Sequence, residues 1–195
     1  MAMRLPAEQR RRQLLDVACD VFATTGFHAT AMDDIATAAG VTKPVLYQHF
    51  PSKRALFVEL LADVGRQLLD ELATATSRAT TGRERVEEGF SAYFRFVINN
   101  RAAFRLLFGA SARNDAEFAR VVDEVLHAAA DAISELIEID ATPEHRRVLA
   151  HSLVGIAEAT SRHALTDPDE LAAWISELAW FGLRGIRPED RPTLA

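Results

Sequence analysis

The chain has 195 residues, a formal net charge of −6 and 49% hydrophobic residues. This composition is typical of one or two folded domains, and no apolar run approaches the roughly 20 residues of a membrane span. The first thirteen residues lack the apolar core of a signal peptide, and a lone cysteine, Cys19, excludes an internal disulfide. We therefore expect a soluble cytoplasmic protein in which Cys19 is a buried structural thiol.

The first predicted helix runs from Pro6 to Thr25 and ends at Gly26. Its apolar residues recur at spacings that place them on one buried face. Three arginines at positions 10–12 crowd its first turns, where the helix dipole disfavours cations. They form either a solvated basic face or a set of DNA phosphate contacts, and the sequence favours neither.

The segment Thr30–Arg54 predicts two short helices joined by a tight turn at Gly40. Thr30 stands three residues before Asp33, which is a helix-start signal, and Thr42 is placed to cap the second helix. The second helix has one apolar and one polar face, so it can pack on the first and also enter the major groove. This pattern indicates a helix–turn–helix motif that binds DNA.

Further helices are predicted over 52–77, 81–100, 101–112, 114–139, 142–165 and 167–186, and no segment has strand periodicity. The helix over 52–77 is a rod of roughly 35–40 Å, long enough to belong to two domains. Residues 77–82 form the clearest linker. Predicted helix caps in the later part of the chain are the pair Thr81 and Glu84, the pair Asn114 and Glu117, Thr142, and Asp167.

Charge is distributed unevenly along the chain. Residues 1–54 carry seven Lys or Arg and five Asp or Glu, whereas the remainder carries 15 and 23. The total charge argues against a nucleic-acid partner, but the local potential at a binding face matters more than the total. The helix–turn–helix part is the basic part, which is consistent with DNA binding.

The segment Thr30–Arg54 resembles the DNA-binding signature of the TetR family of transcriptional regulators. The matching residues are Met32, Ile35, Ala36, Ala39, Gly40, Val41, Leu46, Tyr47, His49, Phe50, Lys53 and Leu56. One departure is Ala31, where the family often has Ser or Thr, and Thr30 is the candidate to replace it as helix cap or phosphate contact.

The resemblance implies an all-α protein with an N-terminal three-helix helix–turn–helix domain and a six-helix C-terminal domain for regulation and dimerisation. We place these domains at residues 1–51 and 52–195, with 52–77 as the linking helix. Thr42, Lys43, Pro44 and Val45 are expected to face base edges, and Tyr47 and Lys53 to contact phosphates. The predicted DNA-binding residues are Thr30, Thr42, Lys43, Pro44, Val45, Tyr47, His49 and Lys53.

Aromatic residues are concentrated between positions 90 and 118. A ligand pocket is one interpretation, and plain core is the more usual one for an aromatic stripe at helical spacing. The resemblance implies a small-molecule effector site in the helical body. The predicted pocket residues are Phe90, Tyr93, Phe94, Phe104, Phe108, Phe118 and Leu126.

The last two helices are apolar on more than one face, which indicates a subunit interface as well as core. Trp180 lies off the main apolar stripe and either faces a second subunit or packs within the chain. The resemblance implies pairing through a four-helix bundle built from these helices. The predicted interface residues are Leu153, Ile156, Trp174, Leu178 and Phe181.

Catalytic and metal-binding motifs find little support: no two histidines stand at i, i+4, and there is no C-x-x-C or P-loop. We expect no enzymatic activity, no cofactor and no metal. The predicted function is a homodimeric transcriptional repressor, released from a palindromic operator by a small hydrophobic or amphipathic effector. Two alternatives remain: a DNA-binding factor of this fold without a small-molecule switch, and an enzyme or carrier with a vestigial DNA-binding domain.

Overall fold

The computed structural model describes residues 6–161 and 167–185, and none of these residues lies in a β-strand. The helices are α1 (Ala7–Thr25), α2 (Met32–Ala38), α3 (Lys43–His49), α4 (Lys53–Thr76), α5 (Gly82–Asn99), α6 (Arg101–Phe108), α7 (Ala110–Asn114), α8 (Ala116–Leu136), α9 (Pro143–Ser161) and α10 (Pro168–Gly185). The all-α prediction is confirmed. The predicted helix ends at Leu165 and Ile186, and residues 1–5, lie outside the described residues.

The helix predicted over 101–112 is divided at Gly109 into α6 and α7. Gly109 has an extended backbone, with φ −80° and ψ 170°. A Cβ atom at this position would lie 2.2 Å from the carbonyl oxygen of Arg105, so the close approach of the backbone requires glycine. Apolar periodicity continues across the break, which is why the pattern predicted one helix.

Several predicted caps are confirmed. The Thr81 hydroxyl accepts a hydrogen bond from the Glu84 amide, while the Glu84 carboxylate accepts one from the Thr81 amide, both at 3.1 Å. The Thr142 hydroxyl accepts a hydrogen bond from the His145 amide at 3.2 Å, and the Asp167 carboxylate accepts one from the Glu170 amide at 3.3 Å. These bonds satisfy amides that have no partner within the first turn of each helix.

Backbone contacts divide the chain into two compact units. The N-terminal unit comprises Met1–Gly65 and Asn100–Asp123, and the C-terminal unit comprises Arg66–Asn99 and Glu124–Ala195. This grouping differs from the predicted boundary at residue 51, because the first half of α4 and all of α6 and α7 group with α1–α3. Both α4 and α8 continue from one unit into the other.

Four phenylalanines, Phe22, Phe27, Phe57 and Phe118, form an aromatic cluster in the N-terminal unit. Phe57 of α4 lies 5.0, 4.9 and 4.7 Å from the rings of Phe22, Phe27 and Phe118, measured between centroids. All four side chains are buried. These separations are typical of favourable aromatic contacts, so the cluster joins α1, the segment after it, α4 and the start of α8.

The C-terminal unit is built on the contact of α5 with α9 and α10. The buried face of α10 includes the small residues Ala172, Ser176 and Ala179, and small side chains let a neighbouring helix approach closely. The ring of Trp180 packs over Gly82 at the start of α5, where a Cβ atom would lie 3.5 Å from the ring. Trp180 therefore packs partly within its own chain, and contact of its remaining surface with a second subunit stays a prediction.

Cys19 lies on α1 and is half-buried, so its thiol is less buried than predicted. Burial, followed by the nearby charge of Asp20, raises the pKa of the Cys19 thiol to about 11. Because the thiolate is the reactive form, we expect native Cys19 to react with iodoacetamide at pH 8 about a hundredfold more slowly than a peptide cysteine. Denatured protein, as the control, should react at the peptide rate; equally fast labelling of the native chain would contradict the expectation.

Within the described residues, no helix combines the length and apolarity that crossing a membrane requires.

Candidate nucleic-acid interface

The helix–turn–helix of α2 and α3 is closed by a turn at Gly40. Gly40 has φ 65°, the left-handed conformation that glycine adopts without strain. The Val41 amide donates to the Ala36 carbonyl at 3.0 Å, which fixes the turn. Ile35 of α2 and Leu46 of α3 are fully buried, so α3 packs through one face and is held at a defined angle to α2.

The opposite face of α3 is open to solvent. Thr42, Lys43, Pro44 and Tyr47 are exposed, and Val45 and His49 are half-buried. Thr42 occupies the cap position of α3, but its hydroxyl makes no capping hydrogen bond, contrary to the sequence prediction. Six of the eight predicted DNA-binding residues thus lie together at this helix. Gln48 is also exposed on α3, and it was missing from the predicted set.

Thr30 differs from the rest of the predicted set. Its side chain is 2% exposed, and its hydroxyl donates to the Gly26 carbonyl at 2.8 Å. Ala31 precedes the first turn of α2, and its amide donates to the Asp34 carboxylate at 2.7 Å. The prediction that Thr30 caps α2 is therefore wrong, and the structure leaves this residue almost no surface for a phosphate.

Lys53, the first residue of α4, is bound to the backbone of the α1–α2 connection. Its ammonium donates to the carbonyls of Phe27, His28 and Thr30 at 2.8, 3.2 and 2.8 Å. It also lies 4.7 Å from the centre of the Phe27 ring. An ammonium has three N–H donors, and all three are used here. The phosphate contact of Lys53 stays a prediction that would require breaking one of these bonds.

We expect Lys53→Met to destabilise the protein by about 2 kcal/mol, since charge-assisted hydrogen bonds are lost while the aliphatic stem is kept. The salt dependence of DNA binding should change little, whereas loss of a phosphate contact would reduce its slope by about one. Thermal unfolding and DNA titrations across salt measure both quantities. Lys43→Met is the matched control, which should alter DNA binding without altering the melting temperature. A reduced slope with unchanged stability for Lys53→Met would restore the phosphate role.

Arg11 and Arg12 follow neither of the two alternatives that the sequence left open for the arginines at positions 10–12. Arg11 forms an ion pair with Glu59 of α4, donates to the His49 carbonyl at 2.8 Å, and covers the Phe50 ring at 4.5 Å. Arg12 donates to Asp63 of α4 at 2.6 Å. These two side chains therefore attach α1 to α4 and to the end of α3, and orient the helix–turn–helix.

The positive charge of the first 54 residues is largely paired within the chain. Of the six cations that the structure describes there, four form ion pairs: Arg11, Arg12, Lys43 and Arg54. A count of charges along the sequence cannot detect such partners. Fewer cations are therefore left for DNA phosphates than the charge count suggests, and the exposed face of α3 supports DNA binding more strongly than the net charge does.

Lys43 and Asp33 form an ion pair between α3 and α2. The Lys43 ammonium lies 3.0 Å from the Asp33 carboxylate, and the side chains are 53% and 61% exposed. The hydrogen bond to Asp33 raises the pKa of Lys43, so the ammonium stays charged. Asp33 was singled out in the sequence only as a helix-start residue.

Arg54 joins the start of α4 to the start of α8. Its guanidinium binds both carboxylate oxygens of Asp115, at 2.7 and 3.0 Å, pairs with Glu117, and covers the Phe118 ring at 4.7 Å. Asp115 also accepts from the Phe118 amide at 3.3 Å and so caps α8, where Asn114 had been predicted. Arg54 lowers the pKa of Asp115, so the pair persists at neutral pH and is lost only as pH falls through that lowered value.

The seven residues predicted to line an effector pocket are divided between the two units. Phe90, Tyr93 and Phe94 of α5 are buried in the C-terminal unit, which also holds Leu126. Phe118 belongs to the aromatic cluster of the N-terminal unit, which also holds the half-buried pair of Phe104 and Phe108 on α6.

An open cavity of about 760 Å³ lies in the C-terminal unit, at the C-terminal half of α4 and along α5. Most of its lining residues are polar and exposed, with three half-buried alanines among them, and none of the predicted pocket residues belongs to it. The lining includes Asp70, Glu71, Thr74, Arg78, Glu84, Glu88, Arg95 and Asn99. A polar pair lies deeper in this unit, where the Tyr93 hydroxyl is 3.3 Å from the Ser161 hydroxyl, which donates to the Glu158 carbonyl.

The predicted dimer residues fall into two classes. Trp174, Leu178 and Phe181 of α10 are 54%, 62% and 61% exposed and recur at i, i+4 and i+7, forming one apolar stripe. Leu153 and Ile156 of α9 are half-buried, and Leu153 packs against the core of its own unit. The stripe on α10 is therefore the part of the prediction that faces solvent in one chain.

No cluster of metal-ligating side chains occurs among the residues that the structure describes.

Comparison with known proteins gives a consistent result over both parts of the chain. The family model "Bacterial regulatory proteins, tetR family" matches residues 14–60, and "Tetracyclin repressor-like, C-terminal domain" matches residues 82–183. The chain is 36% identical over 190 residues to the HTH-type transcriptional activator FasR of Mycolicibacterium smegmatis, covering 94% of this chain and 87% of FasR.

Two further similarities extend over the whole fold. The chain is 28% identical over 195 residues to the HTH-type transcriptional repressor KstR2 of Mycolicibacterium smegmatis, covering 96% of this chain and 85% of KstR2. It superposes with a TM-score of 0.76 on the crystal structure of a TetR-like transcriptional regulator from Rhodococcus sp. RHA1, at 31% identity, covering 94% of this chain and 100% of the other.

Proposed function

Because the chain belongs to the TetR family of transcriptional regulators, we propose that it binds a palindromic operator as a homodimer and leaves it when a small effector binds. Membership of this family makes it a regulator and not an enzyme. As a DNA-bound regulator it would act in the cytoplasm, associated with the nucleoid.

The observation that carries the DNA-binding role is the two-sided packing of α3. Leu46 is fully buried against the domain core, while Thr42, Lys43, Pro44 and Tyr47 face solvent together. A helix held in this way can enter the major groove, where its N-terminal residues contact base edges. Proposed contacts are Thr42, Lys43, Pro44, Val45, Tyr47, Gln48 and His49. Thr30 and Lys53 are no longer included, because Thr30 is buried and the Lys53 ammonium binds three backbone carbonyls.

The homodimer is supported by the stripe of Trp174, Leu178 and Phe181 on α10. These three large apolar side chains are more than half exposed, and their exposure to water is unfavourable. In a dimer with two-fold symmetry, the stripe of one chain would pack against the same stripe of the other. Two copies of α3 would then contact half-sites about 34–36 Å apart, or a multiple of that distance.

The effector switch is supported by two helices that the units share. Helix α4 begins with Lys53 and Arg54, and its C-terminal half lines the open cavity. Helix α8 begins beside Asp115, the partner of Arg54, and continues into the C-terminal unit. A ligand that alters either helix can therefore change the position of α3. A differential affinity of about 1–3 kcal/mol would change operator binding roughly 5- to 150-fold.

The direction of regulation depends on where the operator lies. A dimer bound across the promoter represses by excluding the polymerase, which is the outcome we propose. The relatives include both activators and repressors of transcription, since FasR is named an activator and KstR2 a repressor. A reporter carrying the natural promoter, compared with and without the protein, gives the sign directly.

A release screen tests the switch. Labelled operator DNA bound to the purified protein is titrated with small hydrophobic and amphipathic compounds, and release is followed by fluorescence anisotropy. The proposal expects at least one compound to lower operator affinity fivefold or more at saturation. If the chain is a DNA-binding factor without a switch, no compound should change its affinity for the operator. In that case, adding the compounds should also leave hydrogen exchange of the amides in the C-terminal unit unchanged.

A further inference from the structure

The ion pair of Asp33 and Lys43 lies on the surface that the proposed function presents to DNA. Lys43 is the first residue of α3, and Asp33 lies in the first turn of α2. Their charged atoms are 3.0 Å apart, and both side chains are more than half exposed. Because the start of a recognition helix is where base edges are contacted, the pair is placed to meet bases together.

The charge of this surface is unusual for a DNA-binding protein. Lys43 is the sole Lys or Arg between residues 28 and 52, and the same stretch contains Asp33 and Asp34. The Asp34 carboxylate is used by the Ala31 amide, whereas the Asp33 carboxylate is used by Lys43. Phosphate neutralisation by α2 and α3 is therefore small, and base contacts must supply more of the affinity.

The two charged groups have opposite hydrogen-bonding character. An ammonium only donates and a carboxylate only accepts. In the major groove a G·C pair offers the acceptors N7 and O6 of guanine, followed by the N4 amino donor of cytosine. An ammonium beside a carboxylate is complementary to that order. A T·A pair in the same place offers O4 and N6 in the same order, but sets the thymine methyl group against the ammonium. A C·G pair sets like against like. An A·T pair sets the ammonium against the N6 amino group and the carboxylate against O4 when the two charges stand at the O6 and N4 positions of G·C.

We propose that the Asp33–Lys43 pair selects one G·C base pair in each half-site of the operator, with Lys43 donating to guanine and Asp33 accepting from cytosine. This inference rests on the proposed DNA-binding function. Asp33 has a second effect, since its charge is repelled by phosphates wherever no cytosine amino group faces it. It is therefore a specificity-determining residue that weakens binding to unrelated DNA.

Selection from a pool of randomised DNA duplexes tests the pair in the full-length protein. The variants are Asp33→Ala, Lys43→Gln and the double exchange Asp33→Lys/Lys43→Asp, and the matched control is Asp20→Ala, an exposed carboxylate on α1. The wild type is expected to enrich an inverted repeat with one invariant G·C pair in each half. Asp33→Ala should keep the repeat, lose preference at that pair about 5- to 150-fold, and bind unrelated DNA more tightly.

The double exchange gives the sharpest outcome. It returns both charges with their positions reversed, so the selected base pair should invert from G·C to C·G while the rest of the motif is kept. Asp20→Ala, with the same change in net charge as Asp33→Ala, should leave the motif unaltered. The melting temperatures of all variants should equal that of the wild type, since the three altered side chains, of Asp20, Asp33 and Lys43, are exposed.

Three results would overturn the inference. A wild-type motif without an invariant G·C pair, or variants that keep the wild-type preference at every position, would remove the role of the pair while leaving DNA binding intact. Failure of the wild type to enrich any sequence would remove the proposed function and this inference with it.

Discussion

Leu178→Glu is expected to convert a dimer into a monomer and to lower affinity for a palindromic operator at least a hundredfold. Leu178 is 62% exposed in the single chain, so a glutamate there faces water and the fold is kept. In the proposed dimer the same carboxylate would be buried without a partner, which costs several kcal/mol, and a monomer contacts only one half-site.

Sedimentation equilibrium and operator titration measure the two effects. Leu136→Glu is the matched control, since Leu136 is an exposed leucine of α8 in the same unit. It should leave both the dimer and the operator affinity unchanged. A Leu178→Glu protein that remains dimeric with wild-type affinity would show that α10 is not the interface.

Phe118→Ala is expected to destabilise the N-terminal unit by about 3–5 kcal/mol, because the removed ring leaves a cavity in a packed core. Phe118 is 1% exposed and touches Phe27 and Phe57 within the aromatic cluster. The guanidinium of Arg54, which lies over the Phe118 ring, loses this cation–π contact as well. Because the cluster supports α1 and α4, which in turn hold α3, DNA binding without any effector should weaken.

Chemical denaturation and operator titration below the unfolding transition test this expectation. The control is Phe90→Ala, the same substitution at a buried residue of the C-terminal unit. It should destabilise the protein with a smaller effect on effector-free DNA binding. If Phe118→Ala instead keeps stability and DNA affinity and loses only the effector response, Phe118 is a pocket residue, as the sequence suggested.

The helices and three of the six predicted helix caps were predicted correctly because their signals are local. Apolar periodicity and the bonds of Thr81 with Glu84, or of Asp167 with the next turn, involve residues within four positions. The helix–turn–helix was predictable for the same reason, since Gly40 and the buried Leu46 belong to one short segment.

The roles of the charged residues were not predictable, because their partners are distant along the chain. Arg11 is 48 residues from Glu59, Lys53 is 23 residues from the carbonyl of Thr30, and Arg54 is 61 residues from Asp115. A cation near a DNA-binding motif predicts a phosphate contact when no partner is visible. The structure supplies carboxylates and carbonyls instead.

The aromatic stripe between residues 90 and 118 shows a different limit. Spacing indicates which residues of one helix share a face, but not which neighbouring helix that face meets. Phe90 and Phe94 are buried in one unit and Phe118 in the other, so a single set defined by sequence became two. The same limit applies to α10, where Trp180 packs on Gly82 and Trp174 faces solvent.

Selection of genomic fragments by the purified full-length protein tests the central claim most directly. DNA from the source organism is sheared, incubated with the protein at physiological salt, recovered and sequenced. A homodimeric DNA-binding regulator should enrich a few fragments that share an inverted repeat, bound by two chains and at least a thousandfold more tightly than unrelated DNA. Recovery of fragments in proportion to their abundance, with no shared sequence, would contradict the account.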